Sequence, residues 1–182
     1  MNQSRKTKFL YIHGLGSDAQ SRKYLNLKEY FDDQFDFGCL EWKNNDNIDE
    51  LLNQSERDLS QFENVILFGD STGANFAWQL SEKRKANGLN SILIVSSPLL
   101  DLSKRISDYE FPDSLKPFMK KIDHPAGMMI IAPTEDEIID HSFVIENQFP
   151  DTQILKVNDT HRLPEFKDYL PEIERYIISK IE

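Results

Sequence analysis

Short apolar runs alternate with longer amphipathic ones along this chain. "KFLYIHG" reads as a buried strand. The "SRKYLNLKEYFDDQF" stretch after it sets Tyr24, Leu27, Tyr30 and Phe31 at helical spacing. "FDFGCLEW" predicts a second, weaker strand. In "NIDELLNQSERDLSQF", Asn47 is placed to cap a helix whose apolar side carries Ile48, Leu51, Leu52, Leu59 and Phe62. "NVILFG" and "TGANFAWQLSEKRKA" repeat the strand–helix unit, and Gly88 marks its end. "SILIVSS" and "GMMIIAP" are nearly all apolar, whereas "TQILKVN" alternates and is expected nearer a sheet edge. "LPEFKDYLPEIERYIISKIE" closes the chain as a helix, with Pro164 in its first turn and Pro171 kinking or splitting it.

Strands that are apolar throughout and separated by helices indicate a sheet covered on both faces. The expected fold class is therefore α/β, a three-layer sandwich with a mostly parallel sheet of about six strands. The length of 182 residues suits one domain, 1–182. One stretch breaks the rhythm: residues 99–126, with three prolines and the aromatics Tyr109, Phe111 and Phe118. It is too long for a plain connection between a strand and a helix. Two readings stand side by side, a helix with irregular flanks and a small lid over a site. As a lid, Tyr109, Phe111, Phe118 and Met119 could line a shallow apolar pocket.

Charge narrows the partners. The net charge of −10 has no basic block to offset it, so a nucleic-acid backbone would be repelled. No run approaches the ~20 apolar residues of a membrane span, and the first apolar run is too short for a signal-peptide core. A cytoplasmic location is the expectation. Cys39 has no partner for an internal disulfide and is expected to be buried on its strand. No Cys/His cluster has zinc spacing. The sequence carries no signal for oligomeric state.

The candidate chemistry centres on Gly69-Asp70-Ser71-Thr72-Gly73, a G-x-S-x-G between a predicted buried strand and a helix. Such a turn holds a serine hydroxyl up at the carboxyl edge of the sheet, with a helix N-terminus behind it to favour negative charge. A nucleophilic serine needs a base and an oxyanion site. Of the four histidines, His13 and His161 follow strands, where chemistry gathers in α/β sheets. His161 lies between the last strand and the last helix and is the expected base. His124 and His141 are expected to be structural or exposed. Gly14 lets "HGLG" turn tightly, so the Leu15 amide can pair with the Thr72 amide as oxyanion donors, with His13 in support. The acid falls in "TEDEIID", where Asp136 is favoured and Asp140 suits a helix cap.

In chain order, "YIHGLGSD", "GDSTGA", "TEDEIID" and "NDTHRL" resemble the α/β-hydrolase superfamily. The short chain looks most like its small bacterial esterase-like members with little or no cap. The family's Asp-x-x-[Val/Ile] after the penultimate strand matches Asp136 to Ile139. The resemblance implies a Ser71, Asp136 and His161 triad with Leu15 and Thr72 as oxyanion donors. Two features depart from the family. The antiparallel strands that often open its sheet have no room before Phe9, and a large cap is missing. Both bear on substrate choice.

The expected function is a serine hydrolase that cleaves a small carboxylic ester or thioester through an acyl-enzyme, with no metal or organic cofactor. The alternatives are a non-catalytic binding module on the same fold and an unrelated phosphate binder. Neither the G-x-x-x-x-G-K-[ST] nor the G-x-G-x-x-G pattern is present for the last.

Overall fold

A computed structural model describes residues 7–181. The elements run β1 (Lys8–Ile12), α1 (Arg22–Phe31), β2 (Asp36–Leu40), α2 (Ile48–Leu59), β3 (Val65–Asp70), α3 (Thr72–Ala86), β4 (Ile92–Ser96), β5 (Met128–Pro133), α4 (Ser142–Glu146), β6 (Gln153–Val157) and α5 (Leu170–Ile181). The six strands form one sheet in the order β2-β1-β3-β4-β5-β6, and every neighbouring pair is parallel. The alternating strand β6 is an edge, as its pattern predicts, and the weaker β2 is the other.

Side chains leave a strand on alternating faces, and here both faces are covered. From β1 and β3, Leu10, Ile12 and Leu67 pack into one cluster with Ile48, Leu52, Phe76 and Leu80 of α2 and α3. Phe9, Tyr11, Ile66 and Phe68 enter the opposite cluster with Tyr24 and Leu27 of α1 and Ile173 of α5. Burial of each such side chain contributes about 1.5–3 kcal/mol, so both layers are needed to hold the sheet. Asn47 caps α2 through its side chain, which accepts a hydrogen bond from the Glu50 amide at 3.3 Å.

Four local expectations change. Tyr30 lies outside the buried stripe of α1, at 36% exposure, and its hydroxyl bonds Glu174. Cys39 is only half-buried because β2 is an edge strand, and burial pushes its thiol up to about 12. The final helix begins at Leu170, so Pro171 sits in its first turn, while Phe166–Tyr169 form a separate 3₁₀ turn. Pro164 precedes both. Residues 99–126 contain no α-helix, only 3₁₀ turns at Leu102–Lys104 and Lys116–Phe118.

That stretch is anchored rather than loose. Leu99, Leu100, Phe111, Leu115 and Ile122 belong to the core under it. The buried Asn75 of α3 donates to the carbonyls of Leu99 and Lys120 and accepts from the Lys120 amide. Gln79, one turn on, donates to the Phe118 carbonyl.

Strand order decides where a site can form. β1 leads outward to β2 over one face, whereas β3 leads the other way to β4 over the opposite face. The loops after β1 and β3 therefore part at the carboxyl edge and leave a crevice between them.

Candidate active site

Ser71 sits in that crevice, between the last residue of β3 and the first of α3. Its backbone has φ 52° and ψ −116°, a strained conformation for a residue with a side chain. Close packing imposes it. A Cβ on Gly73 would lie 2.2 Å from the Ile12 carbonyl oxygen, and one on Gly69 would lie 2.5 Å from Ala74 Cα. Only glycine lets α3 approach the sheet this closely. The Ser71 amide donates to the Ser96 carbonyl at 2.9 Å, and its own carbonyl accepts from the Leu99 amide at 3.1 Å. Beneath it, Asp70 accepts from Lys23 Nζ at 2.6 Å and Ser96 Oγ at 2.7 Å.

His161 and Asp136 come to the same place from two other strand ends. His161 Nε2 is 3.1 Å from Ser71 Oγ. Its Nδ1 is 2.8 Å and 3.0 Å from the two Asp136 carboxylate oxygens. A carboxylate only accepts, so Nδ1 carries the proton and the Nε2 lone pair faces the serine hydroxyl. The loop around His161 is held on each side. Ser97 Oγ donates to its carbonyl at 2.8 Å, and its amide donates to Glu137 at 3.1 Å. Buried Asp159 ties the loop together by accepting from the Thr160 and Glu165 amides and the Tyr169 hydroxyl.

Asp136 has a full set of donors. The Ile138 and Ile139 amides each donate to Oδ1 at 2.8 Å. His141 Nε2 donates to Oδ2 at 2.8 Å. The Asp136 and His141 side chains are each 2% exposed. Burial by itself would push the Asp136 carboxyl up. The hydrogen bonds from His141 and His161, the nearby His161 and the Ile139 amide outweigh it and hold the group well below the ordinary carboxylate range.

His141 is therefore structural, and it is also part of the site, which its sequence position five residues after Asp136 does not announce. The helix that starts there is short, and His141 itself holds the cap position of α4. Asp140 bonds the Ser142 amide at 2.9 Å and lies outside the triad of contacts. His124 is exposed, far along the 99–126 stretch.

His13 shapes the turn after β1. Trp42 donates its amide to His13 Nε2 at 3.1 Å, so His13 Nδ1 carries the proton and donates to the Gly14 carbonyl at 2.8 Å. The two rings stack at 5.1 Å, and the indole N–H donates to the His13 carbonyl. Nothing in the sequence singles out Trp42 for this. The turn leaves the Leu15 amide without an acceptor among the described residues. The Thr72 amide opens α3, where helix geometry supplies no acceptor. Both residues line the cleft that holds Ser71 and His161, a cavity of about 830 Å³.

From the 99–126 stretch, Tyr109 and Phe111 line this cleft. Phe118 and Met119 do not reach it and pack against the core instead. No group of three or more His, Cys, Asp or Glu side chains could hold a metal among the described residues. No helix among them is long and apolar enough to cross a membrane.

No family model and no curated protein matches the sequence. Solved structures do match the fold. Est1E from Butyrivibrio proteoclasticus is similar with a TM-score of 0.70 at 12% identity, over 99% of this chain and 90% of its own. YbtT, a type II thioesterase from the yersiniabactin pathway, has a TM-score of 0.68 at 12% identity, over 96% of this chain and 94% of its own. A hormone-sensitive lipase from a metagenome library has a TM-score of 0.65 at 16% identity, over 96% and 78%. With its sheet order and helices on both faces, the chain has the α/β-hydrolase fold.

Proposed function

We propose that the protein is a serine hydrolase that cleaves a small carboxylic ester or thioester. The observation that carries this reading is the unbroken hydrogen-bond path from Ser71 Oγ through His161 to Asp136, at 3.1 Å and 2.8 Å, in a cleft open to a substrate. Similar folds described as a thioesterase and a lipase support the reaction class.

In this reading His161 Nε2 takes the hydroxyl proton as Ser71 Oγ attacks the carbonyl carbon. Asp136 holds the imidazole in the required tautomer and stabilises its cation. The Leu15 and Thr72 amides receive the oxyanion, helped by the N-terminus of α3. His161 then gives its proton to the departing alcohol or thiol, leaving an acyl group on Ser71. Water, deprotonated by the same nitrogen, releases the acid and restores the serine.

A fluorophosphonate probe tests this directly. It should label the wild-type protein at Ser71 and leave folded Ser71→Ala unlabelled, with ester turnover falling by about 10⁶. A folded wild-type protein that neither labels nor turns over esters would instead be a binding protein on this fold. The cleft also limits the acyl group. Leu15, Leu99, Phe111 and Ile138 give it apolar wall, but it is open. Each buried methylene contributes about 0.8 kcal/mol, so kcat/KM should rise over the first few acyl carbons of a p-nitrophenyl ester series and then level off. A rate still climbing at decanoate would require a deeper pocket.

A further inference from the structure

The cleft beside Ser71 reverses the charge balance of the chain. The protein as a whole has 31 acidic and 21 basic side chains. The cleft is lined by four basic ones, Arg22, Lys23, Arg105 and Arg162, against Asp70 and Glu137. Lys23 and Asp70 cancel each other in a nearly buried pair at 2.6 Å. Among the lining residues that leaves three arginines against one carboxylate residue, Glu137.

None of these arginines is neutralised by an ion pair among the described residues. Arg22 donates to the carbonyls of Arg162, Leu163 and Pro164 at 2.6–2.8 Å, which fixes the group without cancelling its charge. Arg105 lies 5.4 Å over the Phe111 ring, and an isolated bridge joins its backbone to Ile139, beside the acid loop. Arg162 directly follows His161 and is exposed. Neither Arg105 nor Arg162 makes an ion pair among the described residues. Arginine presents a planar fork of donors that matches carboxylate and phosphate oxygens.

We infer that the cleft selects esters or thioesters that carry an anionic group, a carboxylate or a phosphate, close to the scissile carbonyl. The inference deepens the hydrolase reading and rests on it for the reaction, though not for anion recognition. The net charge of −10 disfavours approach of an anion to the molecule as a whole, and the basic lining of the cleft works against that locally.

The experiment compares anionic esters with neutral partners of the same shape. On the acyl side, 4-nitrophenyl hemiglutarate is set against its methyl ester. On the leaving-group side, 4-acetoxybenzoate is set against methyl 4-acetoxybenzoate, and 4-acetoxyphenyl phosphate against 4-acetoxyphenyl dimethyl phosphate. At least one arm should favour the anion by roughly 10–100-fold in kcat/KM, the size of one hydrogen bond to a charged group. The arm that does so places the anion and tells carboxylate from phosphate. The preference should shrink toward unity in the Arg105→Gln, Arg162→Gln double variant and with added salt, which screens exposed charge. Arg57→Gln, on α2, should leave it unchanged.

A wild-type preference for every neutral ester, or a preference that survives the double variant, would overturn the inference. Calorimetric titration of Ser71→Ala with glutarate, 4-hydroxybenzoate and inorganic phosphate separates it from the hydrolase reading. Binding that depends on Arg105 and Arg162, in a protein that hydrolyses nothing, would sink the hydrolase and keep the anion site. Absence of both binding and preference would sink the anion site alone if neutral esters are still cleaved.

Discussion

The turn around Ser71 and the loop around Asp136 meet at one imidazole, but different forces hold them. The Ser71 turn is fixed by contact: α3 presses so closely against β3 at Gly69 and against the end of β1 at Gly73 that neither position leaves room for a methyl group. The Asp136 loop is fixed by polar bonds, two from backbone amides and two from imidazoles. Packing forces are short-ranged and indifferent to pH, whereas hydrogen bonds to a charge depend on protonation and tolerate small changes of shape. The serine turn should therefore fail when its volume changes, and the acid loop when its charge or donors change.

The largest effect is expected at Gly73. Gly73→Ala sets a Cβ 2.2 Å from the Ile12 carbonyl oxygen and 2.3 Å from that of His13, so backbone must move. The loss should exceed about 4 kcal/mol in urea unfolding, among the most damaging single changes. Gly88→Ala, with nothing within 4 Å but a φ of +73°, should cost only about 1 kcal/mol. Similar losses at the two positions would mean that packing does not set the serine turn.

Asp136→Asn keeps the volume of the acid loop and removes its charge. The amide can no longer accept every donor around it or stabilise the His161 cation. Turnover of an ester substrate should fall by about 10⁴, the loss seen when a triad acid is so changed. Asp140→Asn should be mild, because Asp140 only braces the start of α4. If the Asp140 change were the crippling one, the acid would be misassigned.

His141→Phe should act through Asp136 and lower kcat by roughly 10–100-fold with little change in KM. With one donor gone, the carboxylate leaves more of its charge for His161. The acid limb of the kcat/KM profile should then move to higher pH. His141→Gln can place an amide N–H near the position of Nε2 and should recover most of the rate. A rate loss without movement of that limb would reduce His141 to a filler of space.

The smallest effect concerns stability in acid. The Asp136 carboxyl is held below its ordinary value of about 3.9, so it contributes stability that is fully present above that pH. The contribution is lost as pH falls through the lower folded-state value. Asp136→Asn should flatten the fall of unfolding free energy below about pH 4, measured by chemical denaturation. An unchanged acid slope would mean that the loop does not hold the carboxylate as tightly as its four donors imply.

The sequence by itself determined the alternation of strands and helices, because apolar runs and amphipathic periods are local patterns. It also placed Ser71 between its two glycines, because the steric demand of that turn falls on adjacent residues. The candidate acid and base were legible from their places after strands β5 and β6, and the structure brings both within hydrogen-bond distance of the same site. Other features were not local, and only the tertiary structure decided them. Parallel pairing set the strand order that opens a crevice between the loops after β1 and β3. Trp42 met His13 because β2 lies beside β1. His141, the cap residue of α4, meets Asp136 because the chain turns back between them. The arginines of the cleft come from positions as distant as 22, 105 and 162, so their common field exists only after the chain has folded. Local sterics can be read from neighbours in the chain. Hydrogen-bond partners and electric fields depend on distance in space, which the chain fixes only by folding.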